Sequence, residues 1–545
     1  MPKKKKNSIV ASSAPESYIF LACYFVGIVR MIFLQRTVSF QGIAAYAYAF
    51  ELYNLFYLIA GGIVAKSAAA LIKSRTAKKQ FNNRDHIFLY TLLRSVFFAA
   101  LFTVLFLFLG DMIANELLGY KLCAFVLQCF AFSFIPACMY IAIAQYLEAI
   151  GYAYVSLLSK IVHEAVVLLA TILLSTALFK YGEKVSALLL ESNRKYGFGA
   201  GAAAIADVIG ALIVLLFVVV FFFLLSGNLR KERMQDTTKN LEKKKTIIRT
   251  TEVAGIQYGL TGLCSSLSVL LMQVLYFRLS RGKLSDKAAG YGAFYSIVYL
   301  FLLLCIVFVE IYTRHLQKAL RHYIRIDDLR RFRLRFGQSM KELMVYFVPV
   351  CVFVAIFARH ILRLLFVSAA QEYTILLQAA CVLILVVVPK LLFESVLSVQ
   401  GAKTQLAICL YSGMAAQLAL FALCFANTKF AVCGIVYSMI IGYAIECIMA
   451  FVFAGTHVHL KLDFKNVLVI PLVIGIVVLG INFGLERLLS DRLGSFATVL
   501  LGMLCTFLLY DVAIIKSGII RGRELSELPF GKQLASFGQI LGMRE

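Results

Sequence analysis

The chain has 545 residues, 61 % of them hydrophobic and 15 % charged, and its 54 basic against 29 acidic side chains give a net charge of +25. Those proportions exclude an ordinary soluble protein. Because the basic residues gather between apolar runs, the charge points to positive-inside topology and anionic lipid headgroups rather than to nucleic acid.

The start, MPKKKK before a long apolar run, is like the n-region of a signal peptide. The run is longer than a usual signal core, carries Arg30 and lacks an AxA-like exit, so it reads as a retained first span. Apolar segments of about 20 residues then recur to the end of the chain. They predict an all-α polytopic membrane protein of about fourteen transmembrane helices, over 17–35, 43–71, 87–110, 122–149, 153–179, 198–226, 253–277, 290–312, 338–366, 373–400, 404–426, 430–455, 466–485 and 493–515. Spans one and two meet at a short turn around Arg36–Gly42.

Connection charge tests this count. The second connection carries Lys73, Arg75, Lys78, Lys79 and Arg84; the sixth and eighth are richer still. Most odd connections are short or poor in Lys and Arg, the fifth and seventh excepted. The parity sets both termini on the cytoplasmic side. The eighth connection, RHYIRIDDLRRFRLRF, has the amphipathic character of an interfacial helix on anionic lipid. The thirteen cysteines lie almost all within apolar runs without a CxxC pair, and His457 and His459 have no partner ligands nearby, so neither disulfides nor a metal site is indicated.

The two halves of the chain follow one plan. Arg36 precedes Tyr46 by ten residues, as Arg281 precedes Tyr291. Pro136 and Pro389 lie inside the fourth span of each half, each followed by a glycine turn, Gly151 and Gly401. The prolines read as helix kinks. The expected organisation is two pseudo-symmetric six-helix lobes, 1–228 and 252–456, joined by a basic cytoplasmic linker over 229–251. Two further helices (457–516) and a cytoplasmic tail (517–545) complete it.

The order and spacing of several stretches resemble the multidrug/oligosaccharidyl-lipid/polysaccharide exporter superfamily, most of all its SpoVB/MurJ-like flippases of lipid-linked oligosaccharides. IFLQRTVSFQGIAAYAY matches that branch's Arg, Gly and Tyr around the first turn with Arg36, Gly42 and Tyr46. GGIVAKSAAALIKSRTAKKQFNNRDHIF resembles its second-span exit, VLSVQGAKTQ the end of its tenth span, and the tail with Glu524, Leu528, Pro529 and Gly531 its ending. The chain departs from the pattern with Tyr24 where an early arginine is common, and with Val38 and Phe40 where the first turn is often built of small residues. The resemblance implies a bacterial cytoplasmic-membrane transporter that flips an undecaprenyl-pyrophosphate-linked saccharide, such as the peptidoglycan precursor lipid II, by alternating access. It implies no enzymatic activity and no cofactor beyond an Na⁺ or H⁺ gradient or the membrane potential. The partners it implies are the lipid-linked saccharide, anionic membrane lipids and cell-wall synthesis enzymes.

A diphosphate carrier needs cations in its cavity. Arg30 and Glu51, at comparable depth on adjacent spans, read either as a phosphate ligand with its tuning partner or as a static interhelical pair. Arg94 is a deeper cavity cation, Arg36 sits at the outer mouth, and Lys66 lies near the inner end of span two, where a lysine snorkels. Lys160 with Glu164, and Lys390 with Glu394, are four apart on one helix face, so each reads as a self-neutralising pair or as an ion-coupling site. Asp207, in the small-residue run GFGAGAAAIADVIGA, is a further ion-coupling candidate within a stretch suited to close helix packing. The alternative functions are a cation-coupled multidrug exporter of the same superfamily and a membrane glycosyltransferase or polymerase. The latter lacks the acid pair and sizeable loop that sugar donors require.

Overall fold

A computed structural model of the protein describes residues 15–191, 193–238, 240–366, 373–428, 431–458, 460, 462–490 and 493–518. The motif of the tail from Glu524 and the side chains of His457 and His459 lie outside the described residues. Every regular element among the described residues is helical. Twelve helices are long and apolar enough to cross a membrane, or thirteen when one bent pair is counted as a span.

The first of the twelve extends from Tyr18 to Ala77, 60 residues. At 1.5 Å per residue that is about 90 Å, some three times a hydrocarbon core of about 30 Å. It comprises α1 (Pro15–Tyr57), a π-helical turn (Leu58–Gly62) and α2 (Ile63–Ala77). Inside α1, Ser39 alone leaves helical geometry, with φ 67° and ψ 174°. That residue divides the run at the place where the sequence predicts the first turn. With the two limbs counted separately, the total reaches the expected fourteen.

The bent pair is α4 (Cys123–Ala131) and α5 (Phe134–Ala149), which meet at 47°. Pro136 is the cause: its ring excludes the carbonyl four residues back, at Phe132, where the helix breaks. Pro389, by contrast, is carried inside the continuous helix α12 (Thr374–Gln400), which ends on Gly401 in the left-handed region at φ 75°.

Packing groups the chain into two units. One comprises Ala22–Ser296 with Ala426–Ala431; the other comprises Met1–Leu21, Ile297–Phe425 and Val432–Glu545. The division therefore falls within the second half of the sequence, not at the basic linker. The N-terminal unit holds most of α1, then α2, α3 (Phe81–Met112), α4, α5, α6 (Ala153–Leu189), α7 (Arg194–Arg233), α8 (Lys244–Leu279) and α9 (Leu284–Ala293). Helix α8 joins this unit because Gly259 lets it lie against Ile63 of α2; a Cβ there would fall 2.4 Å from the Ile63 side chain.

The small-residue run of α7 serves close packing, as its composition predicts. A Cβ on Gly199 would meet Val38 of α1 at 2.4 Å, and one on Gly210 would meet Val167 of α6 at 2.3 Å. The first turn uses the same device. Val38 fills the space left by Gly199, and the Phe40 carbonyl lies where a Cβ on Gly292 of α9 would be, 1.8 Å away. The bulk of Val38 is thus accommodated by Gly199, while Gly292 admits the backbone of the turn at Phe40.

The basic linker is strapped to the end of the N-terminal unit where α3 begins. Helix α3 has no side-chain cap from its own preceding residue, Gln80. Asp236 of the linker supplies the cap instead, accepting from the Phe81 and Asn82 amides at 2.6 and 3.3 Å and from Asn82 Nδ2 at 2.6 Å. Desolvation would raise the Asp236 carboxyl, but hydrogen bonds from Thr238, Asn82 and Phe81 outweigh it and hold the group below the usual carboxylate range. Arg84, buried completely, reaches Glu232 at 2.5 Å and Asp85 at 2.9 Å.

The C-terminal unit holds α10 (Leu300–Arg325), α11 (Leu329–Leu365), α12, α13 (Lys403–Leu420), α14 (Ala431–Val458), α15 (Ile470–Ser490) and α16 (Ser495–Lys516). The arginine-rich eighth connection is not a separate interfacial helix, contrary to its amphipathic pattern. Its residues extend α10 and α11, which are joined by a short turn in which Asp328 caps the Arg331 amide at 3.0 Å. The cap stops one helix and starts the next, leaving no length for a third. Helices α15 and α16 both dock on α11, where Gly475 lies on Val348 and Gly502 on Phe357. His360 of α11 meets Glu486 of α15 at 3.0 Å.

Candidate functional site

Among the charge clusters of the described residues, those at Arg30, Arg94 and Lys390 involve candidate residues in helices that qualify as membrane spans. A lone charge there costs several kcal/mol, about 2.5–3.5 on insertion scales, so each cluster has a physical reason to be paired. The first surrounds Arg30, whose residue is 7 % exposed. Its Nε donates to Thr171 Oγ1 at 2.9 Å, and its Nη1 donates to Tyr46 Oη at 3.1 Å and Asp207 Oδ1 at 3.0 Å. Its Nη2 donates to the Ala203 carbonyl at 2.8 Å and Asp207 Oδ2 at 2.9 Å. A guanidinium has five N–H donors, and all five are used. Tyr46 in turn donates to Asp207 Oδ2 at 2.9 Å.

This arrangement corrects one expectation. Arg30 faces Asp207 rather than Glu51, because the glycines and alanines of α7 bring Asp207 against α1. Asp207, the ion-coupling candidate of α7, is ion-paired by that contact. The pair leaves no N–H of Arg30 for a phosphate. Glu51 is itself buried, at 2 % exposure, on the far side of the Ser39 break.

The second cluster is built on Arg94, whose side chain is 12 % exposed. It pairs with Glu252 of α8 through contacts of 2.5 and 3.1 Å. It also donates to the carbonyls of Ile59 and Ala60, at 3.2 and 2.8 Å, within the π-helical turn. Widening the helix there frees backbone acceptors, and Arg94 satisfies them. Four of its five donors are therefore committed to the protein. Glu252 escapes a hydropathy reading because it stands at the junction of linker and span.

The third cluster belongs to the C-terminal unit. Lys390 and Glu394 do approach, at 3.4 Å, as their spacing predicts. The nearer partner is Glu446 of α14, at 2.7 Å, and the ammonium lies 4.2 Å over the Tyr443 ring. The three charged side chains are 11, 10 and 5 % exposed. Glu446 fits because Gly413 of α13 faces it; a Cβ there would fall 2.0 Å from Glu446 Cγ. Two carboxylates share one ammonium, so the cluster with every group ionised carries one excess negative charge. Glu446 was legible as the single acid in the apolar run AVCGIVYSMIIGYAIECIMAFVFAG, the same signal that marks Asp207.

The other candidates lie apart from these clusters. Arg36 and Lys66 are exposed. Lys160 and Glu164 are half-buried, and Glu164 meets the neighbouring His163 Nδ1 at 3.4 Å.

Among known proteins, no family model and no curated protein matches the chain. Solved structures do. One is an inward-facing multidrug resistance MATE family transporter of the MOP superfamily, with a TM-score of 0.66 and 13 % identity over 81 % of this chain and 94 % of that one. An outward-facing transporter of the same description matches with a TM-score of 0.58 and 14 % identity, over 83 % of this chain and 95 % of that one. A MATE structure in its straight conformation gives a TM-score of 0.55 and 14 % identity, over 84 % and 99 %. At such identities the likeness is one of fold: the chain is an all-α polytopic membrane protein with a MATE-like fold.

Proposed function

We propose that the chain is a membrane transporter rather than an enzyme, and that it exports a cationic or amphipathic substrate by alternating access, coupled to H⁺ or Na⁺ entry. The MATE-like fold supports the transporter class. The observation that carries the finer reading is the balance of buried charge. The arginines suited to a diphosphate, Arg30 and Arg94, have their donors committed to Asp207, Glu252 and backbone carbonyls. The excess charge lies at Lys390–Glu394–Glu446 and is negative. An acidic excess at low dielectric attracts a cation or a proton and repels pyrophosphate. Glu446 and Glu394 are therefore the coupling carboxylates of this proposal, and Lys390 is the counter-ion that keeps the unloaded site tolerable in the membrane.

The second reading is a flippase of undecaprenyl-pyrophosphate-linked saccharide in a bacterial cytoplasmic membrane. One observation favours it. The MATE chains are matched over 94–99 % of their length, while 16–19 % of this chain lies outside the match, and α15–α16 form an apolar pair docked on α11. Purified protein in liposomes separates the two. Gradient-dependent movement of a drug cation, without movement of a labelled lipid-linked disaccharide-peptide, is expected. Movement of the lipid alone reverses the ranking.

A further inference from the structure

The apolar run of α10 ends at Tyr312, yet the helix continues for thirteen residues to Arg325. Helix α11 starts at Leu329 and runs fourteen residues, to Glu342, before its own apolar run begins. At 1.5 Å per residue the two stems project about 20 Å, roughly three times one headgroup layer of about 5–8 Å. Tilted by about 40° they still rise about 15 Å. The amphipathic pattern of the stems is used up inside the protein. Leu316, Leu320, Phe332 and Phe336 are all 0 % exposed, and the Phe336 ring packs 5.6 Å from Phe393 of α12. Their apolar faces are therefore closed to a bilayer.

What the stems turn outward is charge. Between residues 313 and 335, Arg314, Lys318, Arg321, Arg325, Arg330 and Arg331 are exposed, against one exposed acid, Asp327. The first four are spaced four, three and four residues apart, which lines them along one face of α10 over about 16 Å. Arg314 meets Glu310 at 4.0 Å and Arg331 meets Asp328 at 3.1 Å. Lys318, Arg321, Arg325 and Arg330 have no acidic partner among the described residues. The basic linker differs, because there Arg75, Arg84 and Arg233 are matched by Glu242, Glu232 and Asp85 at 2.5, 2.5 and 2.6 Å. Ile326 and Leu334, 50 and 59 % exposed, add apolar surface at the tip of the hairpin.

We infer that the α10–α11 hairpin is a docking surface for an acidic amphipathic helix of a soluble partner protein. Carboxylates at the same four-three-four spacing on such a helix oppose the stripe one for one, and arginine–carboxylate contacts are charge-assisted and directional. Ile326 and Leu334 suit the apolar residues of that helix, whereas a nucleic-acid backbone has no counterpart for them. The stripe climbs away from the bilayer, so anionic headgroups reach only its root. A second copy is repelled by the net charge of +25. The basic start MPKKKK is not complementary either, nor is the sequence after Gly518, with four cations against three acids. The inference is independent of what the protein transports.

The test is fluorescence anisotropy of a labelled synthetic helix, with glutamates at four-three-four spacing and leucines beside them, against the full-length protein in nanodiscs of zwitterionic lipid. A peptide of the same composition in scrambled order is the control. The ordered peptide is expected to bind about tenfold more tightly than the scrambled one, and to weaken as salt rises. Arg321→Gln with Arg325→Gln, both exposed and beyond the apolar run, is expected to weaken its binding about tenfold, the equivalent of about 1.4 kcal/mol. Removing equal charge at the linker, Lys244→Gln with Lys245→Gln, is expected to leave binding unchanged. Equal loss in the two double variants, or equal affinity for the two peptides, overturns the inference, because net charge alone then explains binding. Hairpin-dependent binding of single-stranded RNA or of phosphatidylglycerol vesicles in place of the peptide overturns it too. So does no binding of the ordered peptide, which leaves the cations a topological role alone.

Discussion

Replacing Arg30 by methionine separates a structural role from a phosphate-binding one. The substitution removes five hydrogen bonds and leaves Asp207, with a side chain 11 % exposed, without its counter-charge. Breaking a buried pair from one side costs about 3–5 kcal/mol. Removing both partners, Arg30→Met with Asp207→Leu, avoids the stranded carboxylate. What remains is loss of partners for the Tyr46 and Thr171 hydroxyls, about 1–3 kcal/mol for a buried group left unmatched. The double variant is therefore expected to be more stable than the single one, by a margin that thermal unfolding monitored by size-exclusion chromatography resolves. Liposome transport should follow the same order, with activity partly restored in the double variant. A single variant as stable as wild type would refute the pairing. A stable double variant with no transport would return Arg30 to the substrate path.

Three further outcomes follow from the geometry. Ser39→Gly should stabilise the protein by about 1–3 kcal/mol, the cost of a non-glycine residue in the region it occupies; an unchanged or lower unfolding midpoint contradicts that strain. Gly413→Ala should displace Glu446 from Lys390 and lower gradient-driven transport with less effect on membrane insertion, measured as uptake per folded protein. Asp236→Asn should loosen the linker strap, and the difference from wild type should depend on pH. The carboxyl of Asp236 is held below its unfolded value, so its contribution is present above that value and lost as pH falls through the folded one. Hydrogen exchange at the start of α3 should therefore separate the two proteins at neutral pH and converge in strong acid.

Much of the fold was legible because hydropathy reports length and depth. The spans, the first turn at Ser39 and the bend before Pro136 all follow from apolar runs and backbone chemistry. Partner assignment was not legible, because hydropathy does not fix helix rotation. Arg30 and Asp207 are 177 positions apart, and their meeting depends on the glycines of α7. Val38 reads as a departure from a small-residue turn until Gly199 is seen opposite it. Glu446 carried a clear signal of its own, yet its pairing with Lys390 crosses from α14 to α12 and leaves no trace in local spacing.

The most direct test of the account is substrate efflux from proteoliposomes under an imposed H⁺ or Na⁺ gradient, comparing wild type with Glu446→Gln. The variant keeps the shape of the side chain and Glu394 as a partner for Lys390, while it removes the excess negative charge. The account predicts wild-type efflux that follows the gradient and a variant that binds substrate but no longer responds to it. Gradient-driven efflux that persists undiminished in the variant would contradict it.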